Sequence, residues 1–166
     1  MTHSHARLAF LLLLAALAAF LWSTSAALPP VVASHFAGSG VANGFMARGP
    51  YVTLMFVIGV GVPLLIGFLP STLVERGSHN LNIPNRDHWL APQRRDATLA
   101  FLRVHGLWFG AAVAIFLGYV HWLVVQANRL QPPELSTRGI LGGLAVFGLV
   151  LVAWLVVLFR RFGKPG

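Results

Sequence analysis

Four stretches of about twenty residues run through this chain almost without charge, and no other feature limits its fold as strongly. Residues 8–28, LAFLLLLAALAAFLWSTSAAL, carry no ionisable side chain. As a helix this segment is about 31 Å long, the thickness of a bilayer's hydrocarbon core. The second span is read at residues 51–74, with Pro63 and Pro70 inside it. A membrane helix tolerates such prolines, so a kink at Pro63 and fraying after Pro70 are expected. The third, 99–126, holds Arg103, His105 and His121 near its ends, and the fourth, 139–159, runs into Arg160 and Arg161. The expected fold is all-α: an integral membrane four-helix bundle in a single domain.

Composition supports this. Hydrophobic residues make up 57% of the 166 and charged residues 10%, against about 25% charged in ordinary soluble domains. The chain has no Cys, which excludes disulfides, thiolate nucleophiles and Cys-ligated zinc or iron–sulfur clusters. Its net charge of +8 points to a bilayer with anionic headgroups rather than to nucleic acid. One side of the membrane receives Arg7, Arg76, Arg86, Arg94, Arg95, Arg103, Arg160, Arg161 and Lys164, and the other Arg48, Arg129 and Arg138. By the positive-inside bias both termini and the 75–98 loop are cytoplasmic, N-in and C-in, in a bacterial-type cytoplasmic (inner) membrane. A cleaved signal peptide would use Arg7 and the small residues Ser25, Ala26 and Ala27. The apolar core exceeds the usual h-region, so an uncleaved anchor is expected.

Helix association in lipid depends on small residues and interhelical hydrogen bonds. Gly106 and Gly110, with Ala111 and Ala114, and Gly139 with Gly143 are read as packing surfaces inside one subunit. Trp22, Tyr51, Tyr119 and Trp122 fall at outer helix ends, as an interfacial belt would.

Two polar loops are left for chemistry. The outer one, LPPVVASHFAGSGVANGFMARGP over 28–50, is rich in turn-formers. Its Leu28-Pro29, Val32, His35-Phe36, Gly40 and Asn43-Gly44 resemble the outer segment of the membrane family called domain of unknown function 1648. The resemblance covers about the first 70 residues, on a motif of short sequence signals. That domain opens larger SdpI-like membrane proteins, which include immunity and signal-transducing proteins for a secreted toxin. The resemblance therefore implies chiefly the fold, and with it an immunity-like or sensory role. The Asn82-x-Pro84-Asn85-Arg86-x-x-Trp89-x-x-Pro92 run of the inner loop is also similar to bacterial relatives of that family, where an aromatic pair often replaces His88-Trp89.

Trp89 and Leu90 are expected to anchor the inner loop to the membrane surface, with Arg86, Arg94 and Arg95 on anionic headgroups. The outer loop, through His35, Phe36, Asn43 and Gly44, is expected to bind a ligand or protein partner. The inner loop, through Asn82, Asn85, Arg86, Trp89, Arg94 and Arg95, would relay or recruit, with the Pro63-kinked helix between them.

A metal-assisted membrane enzyme is the rival reading, with His35, His121 and Glu134 as ligands for a divalent ion. A structural subunit of a larger complex is a third. No nucleophile–His–Asp arrangement, phosphate-binding loop or dinucleotide fingerprint occurs, and no acidic residue lies at mid-depth for a proton relay. Catalysis and pumping therefore rank below an accessory role. On the inner side, His105 is placed to pair with Glu75.

Overall fold

The structure is a computed structural model and describes residues 3–75 and 82–163. Four of its helices are long and apolar enough to cross a membrane: His3–Ser25, Arg48–Pro70, Pro92–Ala127 and Thr137–Phe162. These correspond to the four apolar runs.

Helix α1 (His3–Ser25) is apolar on every side, so polarity cannot choose its buried face. Shape does. Ala6, Phe10, Leu14, Leu17, Leu21 and Ser25, three or four residues apart, line the protein side, while Leu8, Leu12 and Trp22 face outward.

The chain then departs from the all-α expectation. After Pro29-Pro30 it forms an antiparallel hairpin, β1 (Val31–Phe36) and β2 (Ala42–Ala47), with Val31 opposite Ala47, Val32 opposite Met46 and Ala33 opposite Phe45. The register is irregular between Ala33 and His35 and again between His35 and Phe36. Each irregularity breaks the in–out alternation by which a strand announces itself. Gly40 in the turn has φ +93°, and a Cβ there would strike the Leu135 carbonyl oxygen. Only glycine fits both constraints.

The second span is α2 (Arg48–Phe56), a π-helical turn over Val57–Gly61, and α3 (Val62–Glu75). Pro63 has no N–H to offer the carbonyl four residues back, and the wide turn sits just where that bond is missing. A kink was expected at Pro63; what the structure shows is a π-helical turn over Val57–Gly61, just before the proline. The fraying expected after Pro70 is absent: the helix continues to Glu75.

A short α4 (Arg86–Trp89) precedes α5 (Pro92–Ala127), which starts with Pro92 in its first turn, where the absent N–H costs nothing. At 36 residues α5 is about 54 Å long, so it reaches well past the hydrocarbon core. It is the central post of the molecule, flanked by α1 and α3. Glycines set the approach: a Cβ on Gly110 would lie 2.8 Å from the Pro63 carbonyl oxygen and 3.1 Å from Gly67 Cα, and one on Gly118 2.9 Å from Leu17. Gly106 admits the Pro70 ring in the same way.

Helix α6 (Thr137–Phe162) begins at Ser136, whose Oγ accepts from the Gly139 N–H at 3.0 Å. Arg160 and Arg161 in its last turn complement the helix dipole. It lies along α5 and buries only Phe162. The architecture is therefore a tight group of α1, α3 and α5 with α6 as an outlying fourth helix.

Candidate functional site

At the end that the charge bias is expected to set outside, here the outer end, the residues joining α5 to α6 wrap both edges of the hairpin. Asn128, one residue past α5, accepts from the Ala33 N–H at 2.8 Å and donates through Nδ2 to the Ala33 carbonyl at 3.0 Å and to the Val124 carbonyl at 2.9 Å. Its amide thus stands in for a neighbouring strand on β1. On the β2 side the Leu135 N–H donates to Gly40 O at 2.8 Å, and Val41 bridges Glu134. Exposed strand edges invite foreign pairing, and both edges here are partly blunted by the same loop. The Arg48 guanidinium adds a third tie, donating to Leu28 O at 3.0 Å.

Beneath the hairpin, three spans meet at His121, which is fully buried. Its Nε2 lies 2.8 Å from Thr24 Oγ1 on α1 and its Nδ1 3.0 Å from the Tyr51 hydroxyl on α2. Thr24 commits its hydroxyl proton to Phe20 O, 2.6 Å away. It therefore accepts from Nε2–H, which leaves Nδ1 to accept from Tyr51. This tautomer, assigned from the network, satisfies every group once. Tyr51 stacks on the ring, and Phe20 meets it edge-on.

That geometry bears directly on the expected metal trio. His35 is exposed on the hairpin, Glu134 is exposed in the α5–α6 loop, and both nitrogens of His121 are occupied below. The structure does not bring the three together, and among the described residues no group of three or more His, Asp or Glu is placed to hold a metal ion.

The four outer-loop residues expected to bind divide in two. Phe36 packs against the cluster of Leu28, Val32, Tyr51, Val124 and Val125, and Gly44 makes room for His35, whose Cβ would lie 2.8 Å from a Cβ on Gly44. These two build the hairpin. His35 and Asn43 are exposed, and the sequence reading missed their neighbours: Val31 at 60%, Phe45 at 57% and Val41 at 52% exposure.

At the opposite end, inner by the same expectation, the loop that was expected to lie on the membrane surface holds α6. The Asn85 amide donates to Phe162 O at 3.0 Å, the Trp89 indole donates to the same oxygen at 3.3 Å, and Thr98 Oγ1 donates to Trp89 O at 2.9 Å. Trp89 is 8% exposed and packs edge-on against Phe162, with the Arg161 guanidinium 4.6 Å over its ring. A buried, doubly engaged indole is not a surface anchor, so that expectation is corrected. Arg86 meets Asp87 at 3.4 Å; Asn82 and Arg94 are exposed, and Arg95 is half-buried. Arg76, Asn80 and Lys164 lie outside the described residues.

His105 is stacked between Phe101 and Trp154, with ring centroids 5.0 and 4.3 Å away, and its carbonyl accepts from the Trp154 indole at 3.0 Å. The side chain of Glu75, its expected partner, lies outside the description. Among the described residues His105 Nε2 is buried without a hydrogen-bond partner. The outer aromatic belt is also divided: Trp22 and Trp122 face outward, whereas Tyr51 is buried on His121 and Tyr119 donates to Gly139 O at 2.9 Å.

Against known proteins, the chain matches no family model, no curated protein and no solved structure.

Proposed function

We propose that this is a multi-pass accessory protein of a bacterial-type cytoplasmic membrane, sensory or immunity-like, that binds a protein partner through the outward face of its hairpin. The observation that carries this reading is the hairpin itself. A loop needed only to join two spans would not be folded into strands, tied at both edges and seated on a buried cluster of Leu28, Tyr51, Val124 and Val125. Preorganisation of that kind lowers the ordering cost of binding. The hairpin's exposed residues include Phe45, Val31 and Val41 with Asn43, and His35 on the Gly44 side, aromatic and aliphatic groups with polar neighbours, as partner-binding surfaces have. The resemblance of the outer segment to the domain of unknown function 1648 points the same way. The bias of basic residues supports an N-in, C-in orientation, which sets the hairpin outside.

The inner loop has a narrower part in this reading than the sequence suggests. Asn85 and Trp89 serve α6 and Arg86 pairs with Asp87, so in this reading Asn82, Arg94 and Arg95 meet anionic headgroups or a protein. The metal-assisted reading draws no support from the placement of His35, His121 and Glu134.

The test is a photo-reactive residue at Phe45 in native membranes, with one at lipid-facing Leu149 as reference. A discrete protein adduct from position 45, absent from position 149, is expected. Identical adduct patterns from both would end the reading. Because the chain has no Cys, single cysteines at Ser39 and Gln93 report orientation without background: an impermeant thiol reagent added to intact cells should label Ser39→Cys and not Gln93→Cys.

A further inference from the structure

Helix α6 is held off α5 by aromatic pillars. The Phe116 and Phe147 rings stack at 4.7 Å, His105 and Trp154 at 4.3 Å, and the Tyr119 ring occupies the place a Cβ on Gly143 would take. Between the pillars the lining mixes small residues, Ala111, Ala112, Gly142 and Ala153, with aliphatic ones such as Ile115 and Val150. Large spacers beside these smaller residues leave an apolar groove of about 810 Å³ between the two spans, within the size range of ligand pockets. From His105 to Tyr119 it runs roughly 21 Å along α5, more than one leaflet's depth of hydrocarbon.

One end of the groove is basic. On α6 the lining stripe passes through Val150, Trp154 and Val157, and the next positions on that face are Arg160 and Arg161. Arg161 is already placed over Trp89, and Arg160 is exposed. A long apolar trough that ends at cations has the shape and charge of one class of ligand, an amphiphile with a hydrocarbon chain and an anionic head.

We propose that the α5–α6 groove binds an anionic phospholipid of the leaflet at the C-terminal end of α6, its acyl chain lying along Ala153 and Ala112 and its phosphate at Arg160. This inference is independent of the hairpin's partner. It also explains why a fourth span can rest against one neighbour alone: the lipid fills the space that a helix contact leaves open.

Ala153 makes the test local, because it lines the groove, is exposed and lies about 10 Å from Arg160 along α6, within one leaflet's depth. Ala153→Leu therefore narrows the groove where the acyl chain would lie. Wild type, Ala153→Leu and Arg160→Gln would be reconstituted into phosphatidylcholine vesicles containing a minor fraction of phosphatidylglycerol, re-extracted in mild detergent and weighed by native mass spectrometry. The expected result is one phosphatidylglycerol retained on the wild-type chain, its loss from Ala153→Leu, and about a fivefold lower preference over phosphatidylcholine in Arg160→Gln. Equal retention by wild type and Ala153→Leu, or no preference for phosphatidylglycerol in wild type, would overturn the proposal.

Discussion

The two ends of the molecule are fastened by different physics. The outer end is held by directional hydrogen bonds to single polar side chains: His121 joins α1, α2 and α5, and Asn128 joins β1 to α5. The inner end also has hydrogen bonds, but the carbonyls that accept them, on Phe162, Trp89 and His105, belong to members of a continuous run of rings from Trp89 through Phe162 and Phe101 to His105 and Trp154. Hydrogen bonds with fixed donors and acceptors specify one arrangement and fail abruptly when a member is lost. Ring contacts are broader in geometry and lose strength gradually. The hairpin end is thus held in one shape, and the opposite end keeps an outlying helix in place.

The largest loss should come from His121→Ala, which opens a cavity and strands the buried Tyr51 hydroxyl. It is expected to cost about 3–4 kcal/mol, read as a fall in melting temperature in detergent. Asn128→Ala should follow at about 2 kcal/mol, with the hairpin becoming protease-sensitive while the helices stay folded. If Asn128→Ala left the hairpin as resistant as wild type, the outer end would not depend on directional bonds as argued.

Inner-end changes should be milder. Trp89→Phe keeps the ring and loses the indole donor, while Asn85 still serves Phe162 O; about 1 kcal/mol is expected. A loss as large as that of His121→Ala would erase the contrast between the ends. Smallest should be Arg161→Gln, which removes a cation over two rings at about 0.5–1 kcal/mol, followed in the same melting assay.

Legibility in the sequence follows the same division. The spans could be read because lipid imposes a length and an absence of charge, both local properties. The boundaries 8–28 and 139–159 fall close to His3–Ser25 and Thr137–Phe162, and the third run is the core of the longer Pro92–Ala127 helix. The hairpin could not be read, because its two irregularities interrupt the alternation and its outer face is as apolar as its inner one.

The contacts that matter most join distant positions. Thr24 and His121 are 97 residues apart, Tyr51 and His121 70, and Ala33 and Asn128 95. What could be seen is that a His inside an apolar run requires a partner. The nearby outer-loop His was the wrong choice of partner, because a hydroxyl at the end of each neighbouring span already supplies one. Trp89 misled for a related reason: an indole in a basic loop suits a membrane surface, and only the carbonyl at the end of α6, 73 residues away, reveals its use.

The most direct test of the outer end as a fixed surface is amide hydrogen exchange at Ala33, in wild type and in Asn128→Ala, with the protein in lipid nanodiscs. Slow exchange in wild type that becomes fast in the variant, while amides within α5 stay protected, is the predicted result. Fast exchange at Ala33 in wild type would contradict the account, since the hairpin would then be an ordinary mobile loop.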